Sequence, residues 1–249
     1  MSDQAAADET AALAEARGAG HGGVAVITGA SRGLALSCAE RFLAEGWQVV
    51  GVDLSPAPDG LAGRPGFRSY EADVTDPGAM AEVFGSIAKS GIRPAALVNG
   101  AGMYPATHFG SATLGDFRRI FELNVWGTVN ASQAFCEIAA SPSSIVNIAS
   151  RDIYSPPPNQ YLYAASKASI VNLTTGTAQA LLDRGIRVNA VSPPRIATEA
   201  LRAIYGEMPA DAVEPEMISA VVWELAAGEN MRGLNGQVVR IPARGEIDY

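Results

Sequence analysis

The chain has little of what would tie it to a disulfide scaffold, a nucleic acid or a membrane. Only two cysteines, Cys38 and Cys136, occur in its 249 residues. Both stand in helix-compatible stretches among apolar neighbours and read as reduced, buried thiols of a cytosolic protein, without chemistry of their own. Basic charge is in deficit: 18 Lys and Arg against 26 Asp and Glu leave a net charge of -8, which attracts neither nucleic acid nor an anionic membrane. No segment approaches the roughly 20 apolar residues that span a bilayer. The opening MSDQAAADETAALAEARGAGHGG lacks a basic start and an apolar stretch, so it is no signal peptide, and the expected location is cytoplasmic. Histidine is almost absent: His21 reads as an exposed linker residue and His108 as a surface residue, and no metal site is expected. What is present is 48% hydrophobic content, enough for the core of one large α/β domain working on a small molecule.

Residues 1–22 are alanine- and acid-rich and end in GAGHGG, a frayed helix and flexible lead-in to a domain spanning 23–249. VAVITGASRGLALSCAERFLAEGWQVVGVDLS then reads as strand, glycine turn, amphipathic helix and strand. Gly29 and Gly33 allow close backbone approach, and the helix from near Leu34 aims its free N–H groups at an anion, which suits a pyrophosphate. Asp53 ends the second strand, 20 residues after Gly33, where a carboxylate accepts from both ribose hydroxyls of an adenosine and repels a 2′-phosphate. With Leu54 following it, NAD is expected over NADP. Arg32, inside the glycine turn, is the dissenting feature, since a guanidinium there could reach a 2′-phosphate.

A third strand runs to about Asp73, and a helix opens at Pro77 and continues to about Ser90. AALVNGAG is a buried strand entering a glycine turn at Gly100–Gly102. Helical segments over 114–123 and 125–139 are expected to be separated near Asn124 and Gly127. SIVNIAS is a strand ending at Ser150, IRVNAVSPP another stopped by Pro193 and Pro194, and GQVVRIP the last. A short lid is expected over about 196–215, where substrate contacts concentrate. Seven strands alternating with helices, without repeats, predict a single doubly wound α/β domain with a parallel sheet.

Ser150 to Lys167 carries the chemistry. Tyr163 and Lys167, four apart in YAASK, share a helical face. A phenol titrating near ~10 is expected to be made more acidic by the neighbouring cation and to serve as general acid or base. Ser150, at a strand's carboxyl end, can donate to a substrate oxygen.

Taken in order, these stations resemble the short-chain dehydrogenase/reductase family over about Val24 to Pro242. TGASRGLA is similar to the family's TGxxxGxG turn, DV at 73–74 to its adenine contact, NGAG at 99–102 to its NNAG, LNVWG to its active-site asparagine segment and YAASK to its YxxxK. Ser150 lies thirteen residues before Tyr163, the family's spacing. The resemblance implies a Rossmann-type sheet of order 3-2-1-4-5-6-7 and an NAD-dependent oxidoreductase interconverting a secondary alcohol and a ketone. Tyr163 would be the acid/base, Lys167 would lower its pKa and bind the nicotinamide ribose, Ser150 would hold the reacting oxygen, and Asn124 would order a relay water. Cofactor contacts would come from Gly29, Ser31, Arg32, Gly33, Leu34, Asp53, Asp73, Val74, Asn99, Ala101, Gly102, Tyr163, Lys167, Pro193 and Ile196, with Thr198 on the carboxamide. It also implies a homotetramer or homodimer built through the helices at 125–139 and 160–182.

Three positions depart from the family pattern. Ala35 replaces the last turn glycine, Gly100 an asparagine, and Pro194 the glycine of SPG. The alternative readings are a non-catalytic dinucleotide-binding regulator, and an isomerase or lyase on the same fold. For the substrate, Arg151 and Arg195 could meet a carboxylate or phosphate, or be paired with the protein's own acids, and Tyr154 and Tyr161 are pocket-wall candidates with Met103 and Tyr104.

Overall fold

Short apolar runs that alternate between two helix layers build the core. The computed structural model describes residues 22–246, so the lead-in expected over 1–22, His21 included, lies outside the described residues except for Gly22. The strands are β1 (Val24–Thr28), β2 (Gln48–Asp53), β3 (Phe67–Glu71), β4 (Ala96–Asn99), β5 (Ser143–Ile148), β6 (Ile186–Ser192) and β7 (Val238–Arg240). They form one seven-stranded sheet, parallel throughout, in the order β3-β2-β1-β4-β5-β6-β7. Ala25, Ile27 and Val98 face one helix layer while Val26, Val50, Leu97 and Ile145 face the other. That two-sided burial is why the strands read as unbroken hydrophobic runs.

Helices α1 (Gly33–Ala44) and α7 (Pro215–Ala226) cover the first face, with Cys38, Phe42, Ile218 and Val222 fully buried there. Helices α2 (Pro77–Lys89), α4 (Gly127–Ile138) and α5 (Tyr161–Ala180) cover the second through Phe84, Ile87, Phe135 and Ala178. The remaining helices are α3 (Leu114–Phe121) and α6 (Glu199–Tyr205). Both cysteines are buried and free. Among the described residues no helix is long and apolar enough to cross a membrane.

The register keeps the carboxyl ends of the central strands level: Thr28 lies opposite Val52 and Asn99, and Asn99 opposite Asn147. Strand order reverses at β1, which has β2 on one side and β4 on the other, so a crevice opens beyond Thr28 and Asn99.

Two expectations about local structure are corrected. The break expected near Asn124 is absent; α3 continues through a π-turn, Glu122–Trp126, directly into α4. The Thr128 hydroxyl donates to the Asn124 carbonyl four residues back at 2.9 Å, across the junction of the π-turn and α4. Gly127 is no breaker either: a Cβ there would sit 2.8 Å from Val74 Cγ2, so the glycine serves a close crossing. Strand β5 stops at Ile148, two residues before Ser150, which instead caps a short 3₁₀ turn, Arg151–Ile153. The segment 196–215 contains α6 and is tied across its base by a bridge between Ile196 and Val213.

Candidate active site

A cavity of about 920 Å³ follows the carboxyl edge of the sheet from the β1–α1 turn to the end of β7. Its first part is a backbone cradle. Gly29, at φ +74°, has no room for a side chain, since a Cβ would fall 2.8 Å from the Ala101 backbone. Thr28 Oγ1 accepts from the Gly100 and Ala101 N–H groups at 3.1 and 3.2 Å, holding the two turns together. Gly33, at φ +59°, opens α1, whose N-cap Arg32 makes no side-chain capping bond and whose first turn has no acidic residue. The leading N–H groups of α1 therefore face the cavity without a protein cap, and a Cβ on Gly33 would meet only Thr198 Cγ2, at 3.6 Å. The departures Ala35 and Gly100 fit each other: a Cβ at position 100 would lie 2.7 Å from the Cβ of Ala35 and equally close to the Thr28 carbonyl oxygen.

Asp53 accepts from the Ser31 and Ser55 N–H groups at 3.0 and 2.9 Å, one on each carboxylate oxygen, which leaves each oxygen lone pairs for further donors. Leu54 is exposed beside it, and the Arg32 guanidinium is exposed on the same wall. Asp73 accepts from Thr75 N and Oγ1, both at 2.8 Å, and Val74 forms part of the wall. Ser31, Leu34, Ala101, Gly102, Ile196 and Thr198 line the cavity too. Thr198 also caps α6 by accepting from Leu201 N at 3.3 Å.

Three expected contacts lie behind the wall. Asn99 spends its amide on Ser132 Oγ at 3.0 Å and Asn147 Oδ1 at 2.8 Å. Asn124 accepts from Met103 N at 2.8 Å and donates to Met103 O and Ser166 Oγ, each at 2.9 Å, so its side chain fastens the Gly102–Met103 turn to α5. Pro193 is buried, with its carbonyl accepting from Arg151 N at 2.9 Å, and the neighbouring Pro194 is the proline on the cavity wall.

Ser150, Tyr163 and Lys167 meet on one stretch of wall. The electrostatic expectation is corrected here. Burial pushes the Tyr163 phenol up from its ordinary value, the Ser150 hydroxyl moderates that rise, and Asp152 and Tyr104 add to it. Lys167 is itself desolvated, which lowers it to about 8, and its ammonium donates to the Ile148 carbonyl at 2.7 Å. In a poorly solvated wall the cost of holding a charge raises the phenol and lowers the ammonium alike.

At the far end, Arg151 pairs with Glu246. Arg195 pairs with Asp211, Nε to Oδ1 at 3.1 Å, and lies 5.8 Å from the Tyr205 ring centre. Both guanidiniums thus meet the protein's own acids. Tyr154 is exposed on the wall beneath Arg240, at 5.4 Å, whereas Tyr161 packs on Phe109 and does not line the cavity. Tyr104 meets Tyr163 edge-on at 6.0 Å. Sequence reasoning passed over Asp152, Arg240, Asp211 and Glu246. Asp152 was discernible as an acid two residues past the serine; the others come from distant segments and carry no local signal.

The parallel sheet, the glycine cradle and the serine, tyrosine and lysine on one wall define a dinucleotide-type oxidoreductase architecture. A family model described as enoyl-(acyl carrier protein) reductase matches residues 29–239, and the chain belongs to the short-chain dehydrogenase/reductase family. Among its curated relatives, a meso-2,3-butanediol dehydrogenase of Serratia marcescens is 32% identical over 89% of this chain and 93% of its own. A galactitol 2-dehydrogenase of Agrobacterium fabrum is 32% identical over 68% and 69%. A 3-oxoacyl-[acyl-carrier-protein] reductase of Thermotoga maritima is 30% identical over 88% and 96%. Of the solved structures, a short-chain dehydrogenase of Burkholderia cenocepacia in complex with NADP superimposes with a TM-score of 0.77 at 28% identity, covering 89% of this chain and 97% of that one.

Proposed function

We propose that the protein is an NAD-dependent oxidoreductase that interconverts a secondary alcohol and a ketone on a small molecule. The observation that carries this reading is the convergence of Ser150, Tyr163 and Lys167 on the same cavity as the Gly29–Gly33 cradle and Asp53. The cradle fits a dinucleotide, because the uncapped start of α1 and the missing Cβ atoms leave room and N–H donors for a pyrophosphate. The nicotinamide ring, when bound, supplies the hydride chemistry. This chain's part is to bind, align and move a proton. Asp53 has free lone pairs for ribose hydroxyls and a charge that opposes a 2′-phosphate, which supports NAD over NADP. Thr198 and Ile196 would close the cofactor's far side, with the 196–215 segment as a lid.

Ser150 would donate to the substrate oxygen. Tyr163, protonated at neutral pH like any phenol, would give its proton to a ketone oxygen as the carbinol forms. In the reverse direction the phenol must ionise first, so oxidation should gain rate as pH rises. Lys167 would meet the ribose of the bound cofactor and steady the phenolate when it forms. Polyol and diol dehydrogenases among the relatives support a small hydroxylated substrate. We also infer self-association as a homotetramer or homodimer through α4 and α5.

The test is Tyr163→Phe, assayed by reduced-nicotinamide absorbance with matched alcohols and ketones. Turnover should fall by roughly 100-fold or more, while NADH affinity changes little. Near-normal turnover in that variant would overturn the assignment.

A further inference from the structure

After β7 the chain turns back over the substrate end of the cavity and is fastened there. Ile241 is buried, its N–H donating to the Ser192 carbonyl at 3.1 Å, and Arg244 lies 3.8 Å from Glu214, the residue before α7. Residues 243–246 close a turn in which Glu246 N donates to the Ala243 carbonyl and Ala243 N to Glu246 Oε2, each at 3.1 Å. The other carboxylate oxygen, Oε1, accepts from the Arg151 guanidinium. Ala243 and Glu246 line the same cavity as Ser150, Arg151 and Tyr163. One oxygen of this carboxylate is thus set by its own turn, and the other occupies a half-buried guanidinium.

Among the described residues no other acid is within ion-pair distance of Arg151. Asp152 and Asp211 feel its charge from farther off, Arg195 holds Asp211 and also acts on Asp152, and Arg240 adds its pull on Glu246. Lys167 stands on the Ile148 carbonyl, and Glu199 pairs with Arg202. Without Glu246, Arg151 would be the one guanidinium of this end with neither an ion-pair partner nor an aromatic ring against it. We propose that Glu246 is a specificity-determining residue: its carboxylate is the internal occupant of an anion site on Arg151, it keeps substrates bearing a carboxylate off that site, and its removal opens the cavity to them. A carboxylate on a short tether competes at an effective concentration on the order of millimolar. A free anion must outcompete it and then share the cavity with the like charge it has displaced. Because Ile241 and Arg244 fasten the segment independently, neutralising Glu246 frees the guanidinium while the segment stays in place.

The substrate part of this inference rests on the oxidoreductase reading above; the binding part does not, and the experiment separates them. Wild type, Glu246→Gln, Glu246→Ala and the double variant Glu246→Gln with Arg151→Gln are loaded with NADH and titrated by NMR with butyrate and with butyramide, its neutral twin. The same proteins are assayed with NAD and two matched pairs, lactate with lactamide and 3-hydroxybutyrate with 3-hydroxybutyramide, which put the carboxylate at two distances from the carbinol. In Glu246→Gln the preference for carboxylate over amide should rise by roughly 10-fold, in affinity and in kcat/KM for the better-placed pair. In the double variant it should return to within about threefold of the wild type, which assigns the gain to Arg151. A segment that merely loosens changes both members of a pair together and leaves the ratio where it was. Should Glu246→Gln fail to fold, Glu246→Ala carries the comparison. An unchanged ratio in a folded variant, a gain that survives in the double variant, or a wild type that already binds butyrate better than butyramide overturns the role of Glu246 and leaves the oxidoreductase reading standing. Absence of nicotinamide-coupled turnover with all four alcohols tells against the oxidoreductase reading alone, and the butyrate ratio then decides the role of Glu246.

Discussion

Lys167 is one of two lysines in the chain and it is buried, with its ammonium donating to the Ile148 carbonyl at 2.7 Å. Its folded value of about 8 lies below the ordinary 10.5, so the unfolded chain binds the proton more tightly. Burying the cation therefore weakens the fold at neutral pH, and the penalty fades as pH climbs from about 8 to 10.5. Lys167→Met should stabilise the protein at pH 7 by at most roughly 3 kcal/mol, offset in part by the orphaned Ile148 carbonyl. The gain should shrink towards pH 10, and thermal denaturation at both pH values measures it. A lysine kept at this cost fits a residue retained for its charge. Asp53 is the second informative residue. Asp53→Asn keeps an acceptor for Ser31 or Ser55 but drops the charge that opposes a 2′-phosphate. The ratio of NADPH to NADH affinity should rise by roughly tenfold, about 1.4 kcal/mol, read by fluorescence titration. An unchanged ratio would mean that Arg32 or the turn backbone sets the cofactor preference.

Two elements shape the site by departing from regularity. The π-turn at Glu122–Trp126 keeps α3 and α4 continuous while presenting Asn124 to Met103 and Ser166, so that one amide joins the β4 turn to the helix bearing Tyr163 and Lys167. From sequence, an asparagine beside a glycine reads as a helix break. In the fold Gly127 serves a close crossing with Val74, and the helix runs on through it. At the β1–α1 and β4 turns, Ala35 and Gly100 exchange bulk across a narrow gap. Gly100→Ala should lower Tm by several degrees, consistent with about 1–3 kcal/mol of overpacking in a chain of this size. Ala35→Gly in the same chain should recover part of that loss, because it removes the contact at Cβ while the Thr28 carbonyl remains. The double-mutant cycle should show a coupling of about 0.5 kcal/mol or more, measured by denaturant unfolding.

For the molecule as a whole, the outer face of α5 leaves a shallow groove lined by Ser169, Asn172, Leu173, Gly176 and Thr177, with Val125 from the π-turn. Phe109 before α3, Leu114 and Phe117 on α3 and Trp126 in the π-turn expose apolar surface nearby in the chain. If the chain assembles through α4 and α5, Gly176→Arg should shift its sedimentation coefficient towards the monomer. A Cβ at Gly176 meets nothing within 4 Å, so the variant reads association and not folding.

The sequence by itself determined the strands and their alternation with helices, the glycine cradle, Asp53 and the serine, tyrosine and lysine trio. All of these are written in local apolar period, turn chemistry or short spacing, and such signals act over a few residues. Tertiary structure alone decided which charges at the substrate end are matched. Arg151 finds Glu246 and Arg195 finds Asp211 across the fold, and no spacing in the chain announces such pairs. The same is true of the phenol's acidity. The four-residue spacing from Tyr163 to Lys167 suggests a more acidic tyrosine, but the desolvation that dominates depends on every element closing over the site.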